Sequence, residues 1–241
     1  MGNPYQILSE KDRKCDMFMI SYRCFGERDI FIEEDDYHKY WSEAMWLMDC
    51  TGNYIADYVA SERNFCMIIS LYCSAHAADN TVELYRMIKH VNNVYTRWHN
   101  KKYGRRGTLT RFEGIKALRS QRDLLEAMRN MYSRLTDCGR NPNTWRFCGR
   151  YERKKGYNHG MIPEPYSFPG YLRGQFNGMK ERTLYRAITT QDESYWQKVR
   201  DSMSAKERYE EYRERISLPV DIQEGTDDFD EALWAAQLAY Y

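Results

Sequence analysis

Tyr54-Ile55-Ala56-Asp57-Tyr58-Val59-Ala60-Ser61-Glu62-Arg63-Asn64-Phe65-Cys66-Met67-Ile68-Ile69-Ser70 is the stretch that decides the fold. Two β-prone runs, Tyr54–Ala60 and Asn64–Tyr72, flank the short polar break Ser61-Glu62-Arg63, which is the pattern of an antiparallel hairpin. In the second run Asn64 and Cys66 share one face, while Phe65, Met67 and Ile69 share the other. Residues two apart on a strand point to the same side.

Upstream of the hairpin, Met17-Phe18-Met19-Ile20-Ser21-Tyr22-Arg23-Cys24 reads as a first strand. A helix near residues 35–49 follows, with Tyr37, Tyr40, Trp41, Ala44, Met45 and Met48 along one side, and Gly52-Asn53 turns the chain into the hairpin. Downstream, a long helix is predicted over about 81–102, with Asn80 and Glu83 as its cap pair and Val82, Tyr85, Ile88, Val91, Tyr95 and Trp98 as its buried stripe. Gly107–Leu118 reads as another strand, and Ser120-Gln121-Arg122-Asp123 opens a further helix with a capping-box signature. The order strand, helix, hairpin, helix, strand, helix predicts an α+β fold, an antiparallel sheet with helices packed on one face. Four of the six prolines fall between Pro142 and Pro169, so residues 138–180 read as irregular. Residues 191–217 and 227–239 regain helical character. The chain therefore divides into a domain over 1–138, an irregular basic and Pro-rich arm over 139–190, and an acidic, mostly helical C-terminal extension over 191–241.

The net charge of +1 conceals an asymmetry. Residues 86–156 hold nineteen Lys or Arg against five Asp or Glu, a balance of +14, while residues 27–57 and 190–241 each stand at −7. A segment so basic predicts a polyanionic partner held through phosphates. Seven cysteines, an odd number with no CxxC pair, argue against both a disulfide framework and a structural zinc site, and for a reducing cytoplasm. No apolar run approaches the ~20 residues that span a bilayer, and the opening Met1-Gly2-Asn3-Pro4-Tyr5-Gln6 has neither signal-peptide regions nor a myristoylation pattern, so no membrane role is expected.

Three further stretches carry a resemblance: Gly26-Glu27-Arg28-Asp29-Ile30-Phe31 with Asp35-Asp36-Tyr37; Asn100-Lys101-Lys102-Tyr103-Gly104-Arg105-Arg106-Gly107-Thr108-Leu109; and Ser120-Gln121-Arg122-Asp123-Leu124-Leu125. Together, in this order and spacing, they resemble the REP-associated tyrosine transposases, members of the His-hydrophobic-His (HUH) superfamily of single-strand DNA nucleases. The likeness runs from about Met17 to Cys138 and implies a ferredoxin-like HUH fold in a bacterial cytoplasmic protein. In that family the second hairpin strand reads roughly YVLMPNHVHLLL and the loop after the long helix RRYGRTGTLW. The two histidines and a polar side chain on the last helix hold a divalent ion that polarises the scissile phosphate. A tyrosine on that helix attacks it to form a covalent link. Here Asn64 and Cys66 fall on the histidine positions, Asn130 on the tyrosine and Arg134 on the third ligand. The resemblance thus implies a degenerate, catalytically inactive domain with no metal and no cofactor.

Tyr132 is the one rescue candidate for a nucleophile. It lies on a stripe with Leu125, Met128 and Leu135, about 200° from Asn130 around the helix, so it reads as core. The five histidines, His38, His76, His90, His99 and His159, have no metal spacing, and only His76 lies near enough to the hairpin to approach the family site. The first function reading is a domesticated, inactive relative binding single-stranded or stem-loop DNA, with RNA as the other polyanion. Its phosphate contacts would be Lys101, Lys102, Arg105, Arg106, Arg111, Lys116, Arg119 and Arg122, with Tyr103, Trp145, Phe147, Tyr151 and Tyr157 as candidates for base stacking. The second is a rebuilt nickase that uses Mg²⁺ or Mn²⁺ and Tyr132 or another tyrosine outside the family position. The third is a protein-interaction subunit docking a partner through acidic C-terminal helices around Tyr209, Tyr212, Ile216, Phe229, Leu233 and Trp234.

Overall fold

In the computed structural model, residues 4–71, 79–155, 186–190, 192–199 and 201 are described. Four strands, β1 (Met17–Cys24), β2 (Tyr54–Ala60), β3 (Asn64–Ser70) and β4 (Thr110–Ala117), form one antiparallel sheet in the order β2-β3-β1-β4. The helices are α1 (Glu10–Arg13), α2 (Glu34–Thr51), α3 (Asn80–Lys102), α4 (Gln121–Asp137) and α5 (Gly149–Lys155). The run β1-α2-β2-β3-α3-β4, with β1 lying between β3 and β4, is the ferredoxin-like arrangement, and the α+β reading holds.

Helices cover both faces of the sheet rather than one. Phe18, Ile20 and Tyr22 of β1 and Phe65, Met67 and Ile69 of β3 pack with Tyr40, Trp41 and Met48 of α2 and Leu84, Ile88, Val91 and Tyr95 of α3. Met17, Met19, Cys66 and Ile68 face the other way and meet Leu125, Met128, Tyr132 and Leu135 of α4, joined there by Ala187, Ile188, Trp196 and Val199. The physical reason lies in β3. Its Phe65–Ile69 run has no polar residue on either face, so both faces require apolar cover.

The open edge of β2 is blunted by the chain after α4. Ala60 N–H donates to the Phe147 carbonyl at 2.9 Å, the Trp145 indole donates to the Ala60 carbonyl at 2.6 Å, and Val59 bridges Cys148. Such cover stops the edge from pairing with another chain. Residues 139–155, expected to begin an irregular arm, are thus packed onto the sheet as far as α5. Residues 156–185 of that arm and 202–241 of the C-terminal extension, with His76, Tyr157 and His159, lie outside the described residues.

The caps explain the helix boundaries. Ser120 caps α4 by accepting from Asp123 N–H at 3.0 Å, as the sequence predicts. For α3 the cap is Asp79, whose carboxylate accepts from Thr81 N–H at 2.9 Å, one residue earlier than the Asn80 expected. Asn80 instead donates its side-chain amide to the Cys15 carbonyl at 2.8 Å, fastening the segment before β1 to the start of α3. Beyond the C-terminus of α3, Gly104 takes φ 61°, and Arg105 N–H reaches back to the Asn100 carbonyl at 2.8 Å. Only a glycine adopts that left-handed turn without strain.

Candidate nucleic-acid interface

The α4 side of the sheet gathers the four positions flagged by the resemblance. Asn64 and Cys66 lie on β3, and Asn130 and Arg134 come down from α4. Cys66 is buried, and burial pushes its thiol up to about 12 despite the Arg134 guanidinium nearby, so it stays protonated. Arg134 Nη1 stands 4.0 Å from Cys66 Sγ and pairs with Glu113 on β4, while its Nε donates to Asn130 Oδ1 at 3.0 Å. Asn64 donates its amide to Cys138 Sγ at 3.3 Å. A neutral thiol, an amide and a guanidinium make no donor set for Mg²⁺ or Mn²⁺, which take oxygen ligands. The residues do not fit the family's metal. Among the described residues no cluster of three or more His, Cys, Asp or Glu could hold one elsewhere.

Tyr132 is 1% exposed. Its hydroxyl lies 3.1 Å from both carboxylate oxygens of buried Asp57, to which it donates, and it accepts from Arg150 N–H at 3.0 Å. It is an element of the core, tying α4 to β2 and to the start of α5, with its oxygen turned away from solvent.

The eight cations expected to hold phosphates separate into two groups. Lys102 pairs with Glu33 and Asp36, Lys116 with Asp123 and Glu126, Arg119 with Asp12, and Arg122 with Glu126. Arg105 lies over the Tyr103 ring, 5.5 Å from its centroid. Lys101, Arg106 and Arg111 make no ion pair among the described residues, and all three are exposed. The structure adds a fourth. Arg23, exposed at the end of β1, lies directly opposite Arg111 on β4 and opposite Asn64 on β3. Asn64, Arg23 and Arg111 thus form one row across three strands, and neither arginine in it has a carboxylate partner among the described residues. Like charges opposite each other on a sheet repel. Arg23 escaped the sequence reading because it lies outside the basic segment, and only the strand register brings it to Arg111.

The aromatic candidates fare differently. Phe147 stacks on Tyr37 with ring centroids 3.8 Å apart, Trp145 spends its indole N–H on Ala60, and Tyr151 packs against the α4-side core. The Tyr103 hydroxyl donates to Asp36. All four serve the fold.

Asp36 centres the network at the other end of α3. Fully buried, it accepts from Ile32 N–H at 2.7 Å, Glu33 N–H at 3.0 Å, Lys102 Nζ at 2.8 Å and Tyr103 Oη at 2.9 Å. At the third position of α2 it reaches back to the residue before the helix, the acidic half of a capping box. Beside it His99 is fully buried between the Tyr95 and Tyr103 rings, and neither ring nitrogen has a hydrogen-bond partner among the described residues. Burial lowers its pKa from 6.5, Arg105 and Lys102 lower it further, and Asp36 opposes them. The neutral ring is therefore favoured in the fold, and this contribution to stability is complete above pH 6.5 and is lost as pH falls through the depressed folded value. The melting temperature will fall between pH 7 and 5. In His99→Leu, whatever its starting stability, thermal melts across the same window will show that limb flattened.

No helix among the described residues is long and apolar enough to cross a membrane. No family model matches the sequence, and no curated protein matches it. Among solved structures the fold is similar to a REP-associated tyrosine transposase bound to a REP hairpin, at 12% identity and a TM-score of 0.45, over 61% of this chain and 82% of that one.

Proposed function

We propose that this protein binds single-stranded or stem-loop nucleic acid through phosphates at the open end of the β1–β4 pair, and does so without cutting the strand. The observation that carries this reading is the Arg23–Arg111 pair, two exposed guanidiniums held opposite each other with no carboxylate paired to them among the described residues. A phosphodiester between them would supply the missing anion, and Lys101 and Arg106 would extend the track along the loop after α3. The absence of cleavage is supported by the protonated Cys66, the guanidinium beside it and the buried Tyr132 hydroxyl. The resemblance in sequence makes a stem-loop DNA beside a short single strand the first ligand to try, in a bacterial cytoplasmic setting.

The test is a labelled stem-loop DNA and its RNA equivalent, each with and without Mn²⁺, run on native and denaturing gels. The expected result is salt-sensitive retardation with no covalent or cleaved product in either condition. A covalent DNA–protein adduct would establish the rebuilt nickase instead. Failure to retard either strand, with nuclease-resistant co-purification of another protein, would point to a docking subunit.

A further inference from the structure

We propose that Phe25 is a stacking platform for one unpaired base of the bound strand, flanked by the arginines that hold its phosphates. The inference rests on the phosphate-binding reading above and adds to it what the ligand must contain: a base free of its own stack. Phe25 is 53% exposed, which is unusual for an aromatic ring in a chain whose other described rings mostly lie in the core. It follows the last residue of β1 and is held on both sides. Cys24 N–H donates to the Arg63 carbonyl at 2.7 Å, and Phe25 N–H donates to the Leu109 carbonyl at 2.8 Å. That second bond sets Phe25 beside Leu109, one step past the last paired residues of β1 and β4 and two residues along the chain from Arg23. Immediately after it, Gly26 takes φ 73° and turns the chain away, leaving the ring at the rim.

The surroundings are cationic. Arg23 and Arg111 form the row two residues back along the strands, and Arg28 reaches across to donate to the Arg106 carbonyl at 2.8 Å, which brings the loop after α3 up beside the same turn. The acidic neighbours are Glu27 and Asp29, and Asp29 is paired with Arg63 at 3.5 Å. A rigidly held, exposed aromatic ring among guanidiniums matches the chemistry that binds single strands. Ring faces take any base, and the cations on either side take its phosphates. A paired duplex offers no free base face, so this site selects unpaired nucleotides. A lone exposed ring would need no explanation by itself. The bonded strand end and the nearby arginines, which have no ion pair among the described residues, give this one a function.

The test measures binding of the full chain to three fluorescent probes of equal phosphate number: an oligothymidylate, the same backbone with abasic sites, and a duplex. The wild-type protein is expected to prefer the oligothymidylate. Phe25→Ala should lose about tenfold or more on that probe alone, with the same salt slope and an unchanged melting temperature, while Phe25→Trp keeps the preference. A Phe25→Ala protein that still prefers the base-bearing strand to the abasic one overturns the platform and leaves the phosphate reading standing. A wild-type protein that binds none of the probes overturns both.

Discussion

Replacing Arg23 and Arg111 together by alanine will weaken binding of a single-stranded oligonucleotide by about 25-fold at 0.1 M salt and flatten the plot of log K against log salt by about 1.4. The magnitude follows from counterion release, in which each phosphate neutralised on a single strand contributes about 0.7 to the slope. Two contacts therefore contribute about 1.4, equivalent to the stated factor at 0.1 M. The same change will leave the melting temperature where it was or raise it slightly. The two side chains are exposed and directly opposite, and relieving such a like-charge pair gains up to about 1 kcal/mol. Lost affinity with kept stability is the signature of residues maintained for a ligand rather than for the fold. Fluorescence anisotropy titrations at four salt concentrations, with a thermal melt of each protein, would read both quantities. An unchanged slope would move the phosphates away from this row of the sheet. Lys102→Ala should behave in the opposite way, losing stability and keeping most of the affinity, because its ammonium is already held by Glu33 and Asp36.

That contrast also shows how far the sequence could be read. The hairpin was legible because its two runs are β-prone and its break is polar, and the order of elements around it led to the right sheet. The second layer was written there too, in the unbroken apolar run Phe65–Ile69, which a strand covered on one face only would not tolerate. The helix that supplies this cover, α4, announced its stripe of Leu125, Met128, Tyr132 and Leu135 but not which face of the sheet would receive it. The charge count was less faithful. It treated the basic segment and the acidic flank as separate regions, whereas the fold pairs them across long sequence distances. Lys102 meets Glu33 and Asp36, and Arg146 meets Glu34. Part of the +14 is thus neutralised by part of the −7 carried by residues 27–57. What remains for a ligand is the fraction whose partners the register does not provide, and register is set by the whole sheet. Arg23 became visible only through its cross-strand neighbour, and Phe25 only through the bond that holds the end of its strand. That Cys66 and Arg134 make no divalent-ion site was legible by residue type alone, since a guanidinium beside a thiol does not hold such an ion in any register.

The largest loss of stability will come from Asp36→Ala, at about 3–5 kcal/mol, because it strips a buried carboxylate from four donors and leaves Lys102 and Tyr103 only the half-exposed Glu33. Ile32 and Glu33 N–H lose the cap of α2, Lys102 loses its buried partner, and Tyr103 loses its hydroxyl contact, so α2, α3 and the loop after α3 all loosen together. At about 2–4 °C per kcal/mol for a chain of this size, the melting temperature will drop by about 10 °C. Burial raises the Asp36 pKa, but the hydrogen bonds from Lys102, Ile32, Glu33 and Tyr103 outweigh it and hold the carboxyl below its ordinary value of 3.8. Its contribution to stability is therefore complete above that ordinary value and disappears as pH falls through the lower folded one, distinct from the His99 limb near neutrality. Urea unfolding at pH 7 would measure the loss, and a double-mutant cycle would assign it. Asp36→Asn and Lys102→Met should each destabilise strongly, while the double variant should lose less than their sum, since neither half then leaves a charge without its partner. Strict additivity would mean that the Lys102–Asp36 pair contributes nothing, and would return Lys102 to the cations available for phosphate.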